Sequence, residues 1–362
     1  MSMPDQPVVT QTRQNIKMAK LFHPGLLWIE WRQHRYLFVL LCLNIMLQPA
    51  LLPLFIQAFI QVLVLRPGLT VVSDSNPWVS MVNGIIQSGG SIMEVTTIIA
   101  VLLLAAIMVG HERGNSLNYL ASTPVARRQI LAAKWMTGSL AILTSMVLLS
   151  AYMFGVARLN PGSINPVLLY AWAGSTTAAL LCLFSLALLS ASICSSILYS
   201  AVFTGFFLML PMMLSFLIIN TLSKYAVLSA DQATSATQWL NHLNIIDYYI
   251  MQEGGNGWSN SAASFAGIPL LLLAGVIFLI LAMRAFERNP LERTGEFLLS
   301  GNSKETGRLM VACLFAPLYA TELAGSPGLF LIYLPLIAFG IYLGIGILWR
   351  TMAVLGLSKR ST

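Results

Sequence analysis

Charge is what this chain has least of. Only 9% of its 362 residues are Asp, Glu, Lys or Arg, against about 25% in an ordinary soluble domain. Hydrophobic residues make up 57%. Together these exclude a soluble globular fold, because the apolar runs are too long and uninterrupted for one core, and lipid must be the solvent for much of the surface. Cysteine is also scarce. Cys42, Cys182, Cys194 and Cys313 lie in or beside apolar runs without metal-ligand spacing, so they read as small reduced residues rather than a disulfide framework. The histidines (His23, His34, His111 and His242) are dispersed, which argues against a metal site or a catalytic triad and places them at interfaces or in loops. No phosphate loop G-x-x-x-x-G-K-[ST] occurs; Gly301-Asn302-Ser303-Lys304 has neither its spacing nor a preceding strand. The polypeptide is therefore not expected to hydrolyse ATP. No basic-aromatic pattern suggests nucleic acid as a partner, and the polar, basic first 35 residues do not read as a secretory signal.

What is present is a succession of apolar runs: 36–65, 92–110, 136–156, 167–189, 197–220, 266–286, a short run at 309–324, and 329–349. A bilayer core needs roughly 17 to 25 residues of helix to cross it. The fold expected is all-α: a polytopic membrane protein with about eight transmembrane helices. Run 36–65 exceeds the bilayer and should tilt or kink near Pro49 and Pro53. Run 309–324 is the shortest. The turn signal Gly325-Ser326-Pro327-Gly328 behind it predicts a tight hairpin into the last run.

Basic residues orient the succession. With the N-terminus inside and the spans alternating, only Arg66, Arg158 and Lys224 of the 20 Lys and Arg fall outside. Cations held on the cytoplasmic side set topology, so both termini are expected in the cytoplasm of a plasma-membrane protein. The net charge of +7 then reflects orientation and contact with anionic lipid.

Four regions follow from this reading. Residues 1–35 form a cytoplasmic N-terminus whose segment 24–35 is an amphipathic interfacial helix, with Leu27, Trp28 and Trp31 set against Glu30, Arg32 and Arg35. Residues 36–286 form a six-span core, with an outer helical segment at 221–265 and an inner loop at 111–135. Residues 287–308 form a cytoplasmic loop, and 309–362 a two-helix hairpin with a tail. In the inner loop, Thr123 is a good N-cap and Pro124 suits the first helical position, so a helix should restart there and run into the third span. Leu117 and Leu120 share one face of a short helix upstream. The product is an elbow with an apolar ridge and a basic flank at Arg127 and Arg128. It suits a groove in a cytoplasmic partner, and equally a connector lying against headgroups.

This loop resembles the one between the second and third spans of type-2 ABC transporter permeases, especially the larger Ytr-like members. The matching residues are Glu112-Arg113, Gly114 to Leu117, Tyr119-Leu120, Ser122 to Arg127, and Ile130-Leu131 with Lys134. The segment from Asn289 to Phe297 resembles the one after span six in such members. Asn118 departs from the pattern, standing where many members carry an acid, and two further spans exceed the usual six. The resemblance implies an exporter subunit that binds a dimer of cytoplasmic ABC ATPases and a second permease, identical or related. ATP and Mg²⁺ would sit on the ATPase and no cofactor in this chain. It also implies ATPase-coupling roles for Glu112, Arg113, Leu117, Leu120, Thr123, Pro124, Arg127, Arg128 and Ile130. The substrate would be hydrophobic or amphipathic.

Other polar residues admit two readings. Hydroxyls recur in spans three and four, and Thr144, Ser145, Ser175, Thr176 and Ser185 are candidates for a translocation path, although helix packing is the commoner use. Gly340-x-x-x-Gly344 is a weak packing motif. Glu94 and Glu322 lie near apolar runs but at their ends, Glu94 within a capping box from Ser91. An ion-coupled carrier would need such an acid at mid-depth. A non-transporting sensor or scaffold would need a ligand site in 221–265, where neither a charge cluster nor a cysteine framework is found.

Overall fold

The computed structural model describes residues 24–47, 92–110, 126–159, 166–194, 197–224, 261–288 and 303–354, with 229, 232 and 245 as isolated positions. Expectations for Pro49 and Pro53, for loop residues 111–125, for most of 221–265 and for 289–297 lie outside them. The described residues form eight helices and no β-strand: α1 (Pro24–Met46), α2 (Ile92–Gly110), α3 (Arg127–Leu159), α4 (Pro166–Ile193), α5 (Ile197–Lys224), α6 (Ser261–Arg288), α7 (Ser303–Leu323) and α8 (Pro327–Val354). The protein is all-α and polytopic, as lipid requires of a chain whose backbone groups must all be satisfied internally. Helices α3, α4, α5, α6 and α8 are long and apolar enough to cross a membrane; α2 and α7 hold shorter apolar stretches, Val95–Gly110 and Val311–Leu323.

Helix α4 is the centre. It packs against α2, α3, α5 and α6, and 78% of its most apolar stretch is buried, against none in α8. Missing side chains make these contacts possible. Gly138 of α3 lies under the ring of the fully buried Phe184 of α4, where any Cβ would overlap the ring. A Cβ on Gly275 of α6 would come 3.3 Å from the Cα of Cys182 in α4, and one on Gly174 of α4 would come 3.1 Å from Ile268. Between α2 and α5, Gly110 leaves room for Ile197, 2.6 Å from where its Cβ would be. Small residues let helices approach closely where lipid supplies no hydrophobic drive for association. All four cysteines are free thiols, Cys182 and Cys194 buried.

Helices α7 and α8 form a tight hairpin across Ala324, Gly325 and Ser326. The Leu329 amide donates to Ser326 Oγ at 3.4 Å and the Phe330 amide to the Ser326 carbonyl at 3.0 Å. The hairpin meets the rest of the bundle through α5. There Lys224 Nζ donates to the carbonyls of Thr321 and Glu322, capping the α7 C-terminus where a cation suits the helix dipole. Arg308, counted from sequence in a loop, lies within α7, with its guanidinium 5.9 Å from the Tyr342 ring and close over Gly346. A Cβ on Gly340 or Gly344 would meet nothing within 4 Å among the described residues.

The Gly138–Phe184 contact sets a stability test. Gly138→Ala should destabilise the protein by about 1–3 kcal/mol through overpacking, and adding Phe184→Leu should restore some of the loss. Thermal unfolding in detergent measures both; a Gly138→Ala protein melting like wild type would contradict the close approach.

Candidate functional site

The elbow residues Glu112, Arg113, Leu117, Leu120, Thr123 and Pro124 lie outside the described residues; Arg127, Arg128 and Ile130 open α3. That first turn is closed locally. The Gln129 amide donates to the Ala126 carbonyl at 2.8 Å, and the Ala126 amide donates back to Gln129 Oε1 at 3.2 Å. A polar side chain thus satisfies an orphan amide at the helix start. From there α3 runs unbroken for 33 residues, so the expected helix through Ala133 and the third span are one rod. Ile130 is buried within this chain and anchors the rod instead of facing outward.

Both arginines of the basic flank have partners here. Arg128 Nε forms an ion pair with Glu287 Oε1 at the end of α6, and Arg127 Nη1 donates to the Glu287 carbonyl at 3.5 Å. The Arg128–Glu287 pair is open to solvent, with side chains 57% and 32% exposed. Such a pair is screened by salt and readily exchanged.

On the other side of α3 the charge is buried. Lys134, expected in the inner loop 111–135 where the helix runs into the third span, is wholly buried and donates to Glu30 Oε1 of α1 at 2.8 Å. His34 Nε2 lies 3.6 Å from the other carboxylate oxygen, Oε2. The expectation that Glu30 belongs to the polar face of an interfacial helix is thereby corrected, as is the placing of His34 at an interface or in a loop. Helix α1 is one continuous helix whose buried residues are Leu26, Glu30, His34, Phe38, Leu41 and Ile45. They recur every three or four residues and form a single seam. The ring residues Trp28 and Trp31 stand outside it, 60% and 50% exposed. A carboxylate is tolerated in that seam because α3 brings a cation to it. The seam itself was the missed signal, since a stripe at 26, 30, 34, 38, 41 and 45 can be read from the sequence once the helix is not cut at residue 35. Further along α1, Asn44 Oδ1 accepts a hydrogen bond from Thr97 Oγ1 of α2 at 2.8 Å.

The span hydroxyls turn inward on their own helices. Thr144 donates to the Leu140 carbonyl at 2.9 Å, Ser145 to Ala141 at 2.7 Å and Ser175 to Trp172 at 3.1 Å. Thr176 is buried. Ser185 donates to the Leu181 carbonyl at 2.9 Å and accepts from Trp135 Nε1 at 3.0 Å, which ties α4 to α3. None of these lines the apolar groove of about 480 Å³ between α3, α4 and α6, whose hydroxyls come from Ser150, Tyr170 and Thr177.

The buried pair makes its own prediction. Lys134→Met leaves the Glu30 carboxylate buried without its nearest cation and should destabilise the protein by about 3–5 kcal/mol. Adding Glu30→Leu should recover most of that loss. Thermal unfolding of the two variants in detergent decides it, and equal losses in both would mean the pair is not coupled.

Comparison with known proteins bears on this geometry. No curated protein and no solved structure matches the chain. The family described as ABC-2 family transporter protein matches residues 7–291, which include helices α1 to α6 and the loop between α2 and α3. The chain therefore belongs to the ABC-2 transporter family, as a multi-pass membrane permease of an ABC transporter.

Proposed function

We propose that this chain is the permease subunit of an ATP-driven exporter, coupling ATP hydrolysis in a separate ATPase dimer to movement of a hydrophobic or amphipathic substrate. The observation that carries the reading is α3 itself. It starts beside the 111–125 loop with two arginines and continues without a break into an apolar stretch long enough to cross the membrane. A push at its basic end is transmitted along its length. Proline, the commonest cause of a sharp helix kink, is missing from α3.

In this reading the N-terminus, the C-terminus and the Arg127 end of α3 face the cytoplasm, as the basic residues indicate. Leu117 and Leu120 seat the loop in the ATPase, with Glu112, Arg113, Thr123 and Pro124 shaping the elbow. Arg128 exchanges Glu287 for an acid on the ATPase when the subunits meet. ATP and Mg²⁺ bind on that partner, and a second permease copy or a related permease completes the membrane assembly. Binding energy shifts the inward–outward equilibrium only insofar as the ATPase grips one state more tightly than the other. The apolar groove among α3, α4 and α6 supports a greasy cargo, with Thr177 and Ser150 supplying polar contacts. A carrier working alone would need an acid at mid-depth, whereas Glu30 lies near the Arg127 end of α3 and is already paired with Lys134.

Leu120→Asp is the test. Losing a buried anchor costs about 2 kcal/mol, roughly 30-fold in affinity. The variant should insert normally and yet recover far less ATPase on affinity purification from native membranes, with ATP hydrolysis no longer linked to transport. Normal ATPase recovery and coupling in that variant would reject the assignment.

A further inference from the structure

Helices α2 and α3 are the two arms joined by the 111–125 loop, and they touch each other only marginally. Helix α1 touches both. It holds α3 through the buried Lys134–Glu30 pair at 2.8 Å and α2 through the Thr97–Asn44 hydrogen bond at 2.8 Å. These two attachments are fourteen positions apart on one uninterrupted helix, about 21 Å at 1.5 Å per residue. The apolar seam between them fills the same face with Phe38 and Leu41.

We propose that α1 is the cross-brace of the coupling elbow: the Glu30–Lys134 pair locks it to α3 while Asn44 holds it to α2, so that α1 travels with both arms. The physical reason lies in burial. The Glu30 and Lys134 side chains are 4% and 0% exposed. Sliding α1 past α3 would separate a carboxylate from an ammonium with no water to receive either, so the contact is all or none, whereas an apolar contact yields gradually. His34, one turn along the seam, lies 3.6 Å from the second carboxylate oxygen, buried on the same face. Glu30 and Lys134 are positioning residues; neither is assigned any contact with substrate or nucleotide. The inference rests on the coupling reading above and extends it to the N-terminal helix.

The experiment uses the full chain, purified with its ATPase and with its four native cysteines replaced by alanine. Spin labels go on exposed positions Ile29 of α1, Leu140 of α3 and Val167 of α4. Pulsed electron spin resonance then reads the pairwise distances with and without ATP plus vanadate. In the wild-type background, the Leu140–Val167 and Ile29–Val167 distances should change together while Ile29–Leu140 stays fixed. Glu30→Leu/Lys134→Met keeps an apolar contact and should stay folded, as thermal unfolding would register. In that variant the α3 shift should persist and the α1 shift should fall away. The reversed pair Glu30→Lys/Lys134→Glu should restore joint movement, which a merely space-filling role would not require.

If α3 moves on ATP binding and α1 stays behind in the wild-type background, the brace is overturned while the coupling reading stands. Joint movement that survives in the Glu30→Leu/Lys134→Met variant also overturns the role of the pair. If no ATPase is recovered, or α3 does not move at all, the coupling reading fails and takes the brace with it.

Discussion

In lipid, one apolar helix gains nothing by leaving the hydrocarbon for another apolar helix. Contact must be won by shape and by polar groups that hydrocarbon cannot satisfy. Several interhelical junctions among the described residues answer to that constraint. Where α3 meets α4, a glycine accepts a phenylalanine ring and an indole N–H finds a serine hydroxyl. Where α4 meets α6, two glycines bring backbone near side chain and side chain near backbone. Where α1 meets α2, an asparagine bonds a threonine. Where α1 meets α3 the tie is a buried ion pair. The first three are ordinary materials of membrane packing; the fourth takes a carboxylate and an ammonium out of water.

The two ion pairs at the start of α3 differ in kind, and the difference is useful. Arg128–Glu287 is wet, and water or a partner's carboxylate replaces either member at little cost. Lys134–Glu30 is buried, and bulk water does not reach either member to replace it. A helix end held on one side by an exchangeable bridge and on the other by a fixed one can release its grip on α6 and keep its grip on α1. In the proposed coupling role, that asymmetry lets the helix engage a partner without coming loose from its own bundle.

Much of the fold was legible in the sequence because lipid imposes a length on apolar helices. Run 92–110 coincides with α2, and the Gly325-Ser326-Pro327-Gly328 turn sits between α7 and α8. The helix starts were less legible. Helix α3 begins several residues before its apolar run, as the capping signal at Thr123 and Pro124 indicated, but α7 begins ahead of its run in polar sequence that hydropathy cannot separate from loop. The ionic tie was hidden for a different reason. Glu30 and His34 look like surface residues when α1 is divided at the first long apolar run, and the cation that justifies burying them lies 104 positions away. Gly138 was similarly mute, since a glycine in an apolar run says that something comes close but not that Phe184 does. Arg128 was expected to await a partner's acid; its in-chain acid, Glu287, stands at the far end of the sixth apolar run, and no local pattern joins the two.

The α7–α8 hairpin follows the family-matched residues 7–291, and its attachment is of a different order from the packing of the core. Its cohesion is internal, with Arg308 lying over the backbone of Gly346 and beside Tyr342. Its junction with α5 is a lysine reaching carbonyls that the α7 helix leaves unbonded at its end. The core helices interlock through glycine-backed contacts and a buried ion pair, so they resist rotation about their axes. Motion imposed at the 111–125 loop would therefore reach α1, α2 and α3 together, while the hairpin touches the described bundle mainly at its α5 contact, where Lys224 holds it.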